Sequence, residues 1–491
     1  MALDERDEYV RQRLRKLELL RSAGLDPYPP RVLRTHTSAQ VREQYRGDGD
    51  QLEVSVAGRL SAMRAMGKMA FVDLRDGSGR LQLQMRLDEL GQEQYGLLEL
   101  LDLGDFIGVH GTVFRTQRGE LTVRVASFEI LAKALRPPPE KWHGLADIEK
   151  RYRQRYLDLM SNAETVEVFK TRSAIIHHLR RRLVEKDFLE VETPVLQPVP
   201  GGGAARPFET YYNALDHQLY LRIALELYLK RCTIGGLERV FEIGRNFRNE
   251  GLSKKHNPEF TMMELYQAYA DYDDILRLTE ELVEGVAIDV QGTTRLRWGA
   301  DEVEFARPWR RVTLRDAILE FAQVDIDRHP EAADLEAAAR SAGLNSDQSW
   351  GRAKLVDELL SQFVEPRLVQ PTFLVDYPVE LSPLAKRKPG RPDLVERFEA
   401  FAGGMEIANA FTELNDPIDQ RSRFEEQRAA RAGGDTEAQW FDADFLEALE
   451  YGMPPTGGLG VGVDRVVMLL TDQHAIRDVI LFPQLRQQRE P

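Results

Sequence analysis

An arginine, two carboxylates, a phenyl ring and a phenol are spaced along Val240 to Tyr266, VFEIGRNFRNEGLSKKHNPEFTMMELY. Strand alternation sends Glu242, Gly244, Asn246, Arg248 and Glu250 to one face and Phe241, Ile243 and Phe247 to the other. On a returning strand Phe260, Met262, Glu264 and Tyr266 share a face, opposite Thr261, Met263 and Leu265. The loop between them carries Lys254, Lys255 and His256. One face can anchor a sheet. The other suits a phosphate, a cation and a flat ring bound side by side. A solvated polar face is the bland reading, but opposite charges two residues apart, a basic loop and then Phe and Glu exceed what ordinary surface requires.

Phe398 to Glu413 reads as a second hairpin, with Gly403-Gly404 as a two-residue turn. Pairing across that turn sets Phe401 against Glu406 and Glu399 against Ala408. Glu399 and Glu406 then become diagonal neighbours within reach of one ion. Two carboxylates without histidine favour a hard cation such as Mg2+, completed by phosphate and water. Two solvent-facing glutamates are the alternative. Asn409, Phe411 and Glu413 have the opposite parity to Glu406, so a substrate touching both sets requires a bulge near Ala408. Gly457-Gly-Leu-Gly-Val-Gly-Val-Asp-Arg465 is a glycine-rich strand running into a helix. Its backbone is open to a ligand and its helix start favours anions. It lacks the Walker and dinucleotide spacings, and alone it also fits a packing turn. Gly201-Gly202-Gly203 reads only as a flexible loop. Glu226, in an otherwise apolar helix start, reads alone as a cap or surface residue.

These groups sit on a chain of 491 residues with net charge −14, one cysteine (Cys232) and nine histidines. That length allows two or three domains. The cysteine count excludes a disulfide framework and a Cys-rich zinc site. No apolar run nears the roughly 18 residues of a membrane span, and Met1 to Arg21 has no secretory h-region, so the expected compartment is cytoplasmic. The acidic balance argues against a non-specific nucleic-acid binder. A local basic surface stays open: Arg11, Arg13, Arg15, Lys16 and Arg21 lie in a helical pattern that fits a solvated face or RNA contact equally. The expected division is a helical extension over 1–50, a barrel domain over 51–136, a linker over 137–163 opening on Pro137-Pro138-Pro139, and a strand-dominated domain over 164–491 with a helical insertion at about 285–370. Short alternating strands punctuated by Gly and Asp make the 51–136 segment a small barrel such as an OB-fold. A long amphipathic helix over 164–186 then leads into a strand over Phe188–Pro194.

Taken together the chain resembles the class II lysyl-tRNA synthetases of bacterial type. Phe188-Leu-Glu-Val-Glu-Thr-Pro194 is similar to the family's first motif, Phe247-Arg-Asn-Glu250 through Tyr266 to the second, and Gly458 to Arg465 to the third. Ile407-Ala-Asn-Ala-Phe-Thr-Glu-Leu-Asn-Asp416 resembles the lysine-specific signature, and Arg151 to Asp158 the hinge. The resemblance implies an α+β protein: an OB-fold anticodon barrel, then an antiparallel catalytic sheet with flanking helices. It implies a homodimer that activates lysine with ATP and Mg2+, more than one ion per site, and loads tRNA(Lys). It assigns ATP to Arg248, Glu250, His256, Phe260, Glu399 and Arg465, with Arg248 and Arg465 catalytic and Glu399 and Glu406 holding metal. It assigns lysine to Gly202, Glu226, Glu264, Tyr266, Asn409, Phe411 and Glu413, and the anticodon to Arg59, Phe71, Gln82 and Glu120. Ala408 and Ala410 depart from the family's more usual glycine, and two methyl groups there are expected to crowd the lysine pocket. An aspartyl- or asparaginyl-type synthetase is the nearest rival, disfavoured by the paired acids Glu264 and Glu413. A ligase that modifies a translation factor generally lacks the barrel, and a tRNA-binding regulator without activity would have lost Arg248, Glu399, Glu406 or Arg465.

Overall fold

The computed structural model describes every residue except 1–6, 48, 50, 140–144, 348–349, 435–437 and 488–491, so the start of the N-terminal helical pattern and part of the 137–163 linker lie outside it. The chain divides into two compact units, Met1–Ala146 and Asp147–Pro491.

In the first unit β1 (Glu53–Met66), β2 (Met69–Asp76), β3 (Gly79–Arg86), β4 (Phe106–Arg115) and β5 (Leu121–Ala132) close into a barrel of order β1-β2-β3-β5-β4. It is the OB-fold read from the sequence. Alternation builds it: Leu81, Leu83 and Met85 face inward while Arg80, Gln82 and Gln84 face out. The preceding helix α1 (Glu8–Ser22) corrects the reading of a freely solvated or RNA-facing basic stripe. Arg13 is buried and donates to the carbonyls of Leu103 and Ala134, and Lys16 pairs with Asp102 at 2.9 Å. Two of the five basic residues thus fasten the helix to the barrel.

The second unit is built on a nine-stranded sheet, counted among the described residues. Its main path uses β6 (Leu189–Glu190), β7 (Arg239–Phe247), β8 (Glu259–Ala268), β9 (Arg310–Thr313), β10 (Thr372–Pro378), β11 (Arg391–Ala402), β12 (Met405–Thr412) and β13 (Thr456–Gly462). The order is β9-β10-β11-β12-β13-β8-β7-β6, antiparallel except for the outer pairs β9-β10 and β6-β7. The expected strand over Phe188–Pro194 is shorter than its alternation suggested, since only Leu189–Glu190 pairs. Helices α2 (Ala163–Val184), α3 (Tyr272–Val286) and α4 (Val463–Leu470) cover the apolar face, where Ile175, Leu179 and Leu282 pack with Phe241, Met263 and Leu265. The other face carries the polar residues.

The two hairpins share this sheet, with β13 between them. Gly403 and Gly404 turn the second one at φ +59 and +71, a conformation costly for any residue with a Cβ. The expected bulge is at Ile407. Phe401 faces Glu406, but from Ala400 the register shifts, so Glu399 faces Asn409 and not Ala408 as simple counting gave. The extra residue turns Ile407 and Ala408 both into the core, leaving Glu406, Asn409 and Phe411 on one face. This also corrects the expected crowding: Ala408 and Ala410 are 2% and 1% exposed and belong to the apolar core. Their methyl groups fill the far side of the sheet from Asn409 and Phe411.

Candidate active site

The glycine strand β13 aligns the two hairpins row by row. Tyr266, Gly458 and Phe411 form one row, and Glu264, Gly460 and Asn409 the next. The glycines carry no side chain between the polar side chains of the two hairpins. A Cβ on Gly458 would collide with the Glu413 carboxylate and stand 2.7 Å from Tyr266 Cε1. Glycine at 458 is therefore required by the close packing of Glu413 and Tyr266 against this strand.

At one end of these rows lies a buried acidic pocket. Glu226, Glu264, Tyr266 and Glu413 are 6%, 4%, 3% and 1% exposed. Glu226 is thus neither surface nor cap. It opens a short helix, Glu226–Ile234, whose Lys230 lies one turn later on the same side. Lys230 Nζ donates to Glu226 at 2.6 Å and also pairs with Glu413. Glu264 accepts the Leu225 N–H at 3.0 Å and the Tyr266 hydroxyl at 3.3 Å. Burial pushes the Glu264 carboxyl up to about 7, and it raises Glu226 and Glu413 as well. Cross-strand from Glu264, Glu242 is tied to Arg222 and Thr193 and so is already committed. Gly202 closes the pocket at φ +84, with room for no Cβ: one would sit 2.8 Å from the Cβ of Glu226. The triple glycine is seated against the helix start.

The adjoining cleft is lined by Arg248, Glu250, His256, Phe260, Glu406 and Arg465, among others. Strand β7 ends at Phe247, so Arg248 and Glu250 leave the alternation that assigned them a face. Arg248 is held by its N–H to the Pro258 carbonyl at 2.9 Å, and its guanidinium lies 5.2 Å from the Phe260 ring centroid. Arg465, at the start of α4, donates to the Glu406 carbonyl at 2.7 Å and pairs with its carboxylate at 3.0 Å. It also stands 3.3 Å from His256 Nε2. Partial desolvation, with Arg465 and Arg248 nearby, holds His256 below the ordinary imidazole range. Lys255 staples the loop to the second hairpin through the Gly404 carbonyl and pairs with Glu365 nearby.

Glu399 accepts from Tyr377 at 2.8 Å and Arg397 at 2.5 Å, and burial together with nearby Glu406 raises it to about 7 despite Arg397. Among the described residues no cluster of three or more His, Cys, Asp or Glu has the geometry to hold a metal. Glu399 and Glu406 supply hard oxygen ligands without enclosing an ion, a donor set that fits a cation arriving with phosphates.

Residues 147–486 match the family model for tRNA synthetases class II (D, K and N), and residues 54–131 match that for an OB-fold nucleic acid binding domain. A lysine–tRNA ligase from Moorella thermoacetica is 54% identical over 100% of both chains. The chain belongs to the lysine–tRNA ligase family of class II tRNA synthetases. Further relatives bearing that name, from Roseiflexus castenholzii and Magnetococcus marinus, are 55% and 50% identical, over 98% and 99% of this chain and 99% of each relative.

Within this class II synthetase fold, two residues in the cleft and pocket escaped sequence reasoning. Lys230 is signalled only by its spacing of four from Glu226. Arg397 is signalled by its place two before Glu399. It donates to Asn409 at 3.2 Å, to Ser382 and to the Leu381 carbonyl, fixing the second hairpin's polar face.

Proposed function

We propose that the chain is a lysine–tRNA ligase. The lysine carboxylate attacks the α-phosphorus of ATP and expels pyrophosphate, and the lysyl group of the adenylate then passes to the terminal ribose of tRNA(Lys), releasing AMP. The observation carrying this reading is the single glycine strand that joins an arginine-lined cleft to a buried pocket of carboxylates. Arg248 stands where those two regions meet, suited to the charge that builds as carboxylate and phosphate approach. Phe260 and Arg465 offer an aromatic and a guanidinium face to adenine, and Glu250 and His256 line the same cleft. In the pocket, Glu264, Tyr266 and Glu413 receive the ε-ammonium, Glu226 and Gly202 the α-amino group, Asn409 the carboxylate, and Phe411 packs on the stem. Glu399 and Glu406 would hold Mg2+, whose role when bound is to neutralise phosphate charge. The exposed apolar side chains Val184, Leu189 and Leu196 support a homodimer formed around the first motif. The substrates are cytoplasmic, and there we place the enzyme. No helix among the described residues is long and apolar enough to cross a membrane.

ATP–pyrophosphate exchange across the twenty amino acids tests the reading. Lysine should drive it; exchange driven by aspartate would overturn the assignment, and silence with every amino acid, even with tRNA present, would favour a binding-only regulator. The pocket acids oppose an aspartate or asparagine substrate, because those short side chains bring no ammonium to pair with them.

Glu264 gives this exchange a pH dependence. Its raised value means that below pH 7 the free pocket holds a proton that the bound ammonium displaces. The KM for lysine should therefore climb as pH falls below about 7, by up to about tenfold per unit, while it levels off above. The KM for ATP should stay nearly constant. A flat lysine profile from pH 6 to 8 would show that Glu264 does not receive the ammonium.

For the barrel we propose anticodon binding on its outer face. Phe71 is half-buried outside the barrel core, Gln82 accepts from Thr122 at 3.0 Å, and Glu120 pairs with Arg80 at 2.7 Å. Arg59 is held by the Gly104 carbonyl and the Phe106 ring. Phe71→Ala should raise the KM for tRNA by about tenfold, the worth of one stacked base, and leave tRNA-independent exchange unchanged. Equal aminoacylation kinetics would remove Phe71 from the interface.

A further inference from the structure

The amino-acid pocket contains a cation of its own. Lys230 is 0% exposed, and its ammonium lies between Glu226, 2.6 Å away, and Glu413, with the Phe411 ring centroid at 5.4 Å. Burying an ammonium completely is costly unless it is paired and hydrogen-bonded, as this one is by Glu226 and Glu413. The other charged or titratable groups facing this cluster are Glu264 and Tyr266 from β8, Arg397 from β11, and Arg248, which acts on Glu264 and is assigned to the substrate carboxylate. Arg397 is spent on Glu399, Asn409 and the second hairpin's neighbours.

With this pocket read as the lysine site, its charges balance only if Lys230 is included. Glu226, Glu264 and Glu413 bring three negative charges when ionised. A bound lysine brings two ammonium groups, its carboxylate being taken by Arg248 and Asn409. One negative charge is left over, and Lys230 is the group placed to cancel it. Its contacts are selective: it touches the α-amino partner Glu226 and the ε-ammonium partner Glu413 at once, from a helix that fixes its backbone. It leaves acceptor capacity for the substrate, since Glu413 Oε1 has no hydrogen-bond partner.

We propose that Lys230 is the resident counter-ion of the lysine pocket, a positioning residue that keeps Glu226 and Glu413 ionised and apart so that one site reads both ammonium groups of the substrate. Without it the surplus charge is quenched by protons, and the pocket becomes a weaker and more pH-sensitive receptor.

Two variants test this in full-length protein by lysine-dependent pyrophosphate exchange from pH 6 to 9. Lys230→Gln removes the charge and keeps a donor; Lys230→Arg keeps the charge and changes the shape. In Lys230→Gln the lysine KM should rise tenfold or more, and the pH below which it climbs should move up by about one unit, with the ATP KM unchanged. In Lys230→Arg the pH profile should stay that of the wild type whatever the KM. An unchanged lysine KM or an unshifted profile in Lys230→Gln overturns the proposal. So does a lower KM, which would mean that Lys230 competes with the substrate. If Lys230→Gln does not fold, Lys230→Arg decides: a retained profile supports the counter-ion role and a shifted one refutes it. Wild-type protein inert with lysine would instead defeat the reading of the pocket itself.

Discussion

Arg248→Ala should lower lysine-dependent pyrophosphate exchange by about 10^3-fold or more, the largest effect expected from any single change in the cleft. Removing one preorganised donor from a developing negative charge costs about 10^2 to 10^3 in rate. Arg248 is placed to meet two such charges, the lysine carboxylate and the α-phosphate, at the point where they join. It needs little reorganisation. Its backbone N–H is bonded to the Pro258 carbonyl at 2.9 Å and its guanidinium packs near Phe260, with a long contact of 3.5 Å to the Ile223 carbonyl. Gly203 lies beside it: a Cβ there would stand 3.6 Å from the guanidinium, in ordinary contact. The loss should fall mainly on kcat, because the interaction strengthens as charge concentrates in the transition state. Arg248→Lys should recover little: a point charge cannot span carboxylate and phosphate as a planar fork does. Thermal melts should stay close to wild type, since among the described residues the Arg248 guanidinium forms no ion pair and contacts only the Ile223 carbonyl and the Phe260 ring. Activity within tenfold of wild type would move the centre of the reaction elsewhere.

That centre was legible because alternation assigns faces within a strand. It sorted Phe241, Met263 and Leu265 from Glu264 and Tyr266 with no knowledge of the neighbouring strands. The demand that Glu406 and Asn409 touch one substrate even located the bulge, because parity allows no other route. Alternation says nothing, however, about which strand lies beside which. The insertion of β13 between the hairpins is a pairing between residues almost 200 positions apart in sequence, and the bare strand between their side chains exists only through it. The same blindness hid Lys230. A charged residue in a short apolar helix looks solvated until the opposite wall, Glu413, arrives from another hairpin. Arg13 and Lys16 failed for the converse reason: a helical basic stripe looks exposed until a barrel supplies carbonyls and Asp102 to receive it. Glu250 marks a third limit, since periodicity ends where β7 ends, at Phe247.

Glu413→Gln should reduce kcat/KM for lysine by about 10^2 to 10^3-fold while ATP binding changes less than about threefold. The pocket excludes water, so the substrate ammonium must exchange its hydration for fixed acceptors, and neutralising one partner of a buried charge pair costs about 2–5 kcal/mol. Glu413 is 1% exposed and sits against Tyr266 across the bare backbone of Gly458, so no water can stand in for its charge. The fold should survive the change. Lys230 loses one ion partner but keeps Glu226 at 2.6 Å, and glutamine matches the volume of glutamate. Selectivity should change with affinity. In the wild type norleucine, a straight-chain analogue without the ε-ammonium, strands the buried acids Glu264 and Glu413 without that partner, a discrimination on the order of 10^4. In Glu413→Gln that penalty shrinks while the cost to lysine grows, so the lysine-to-norleucine ratio in pyrophosphate exchange should collapse from both sides. A ratio that stays near the wild-type value would place the ammonium on Glu264 and Tyr266 alone, and would leave Glu413 as a partner of Lys230 only.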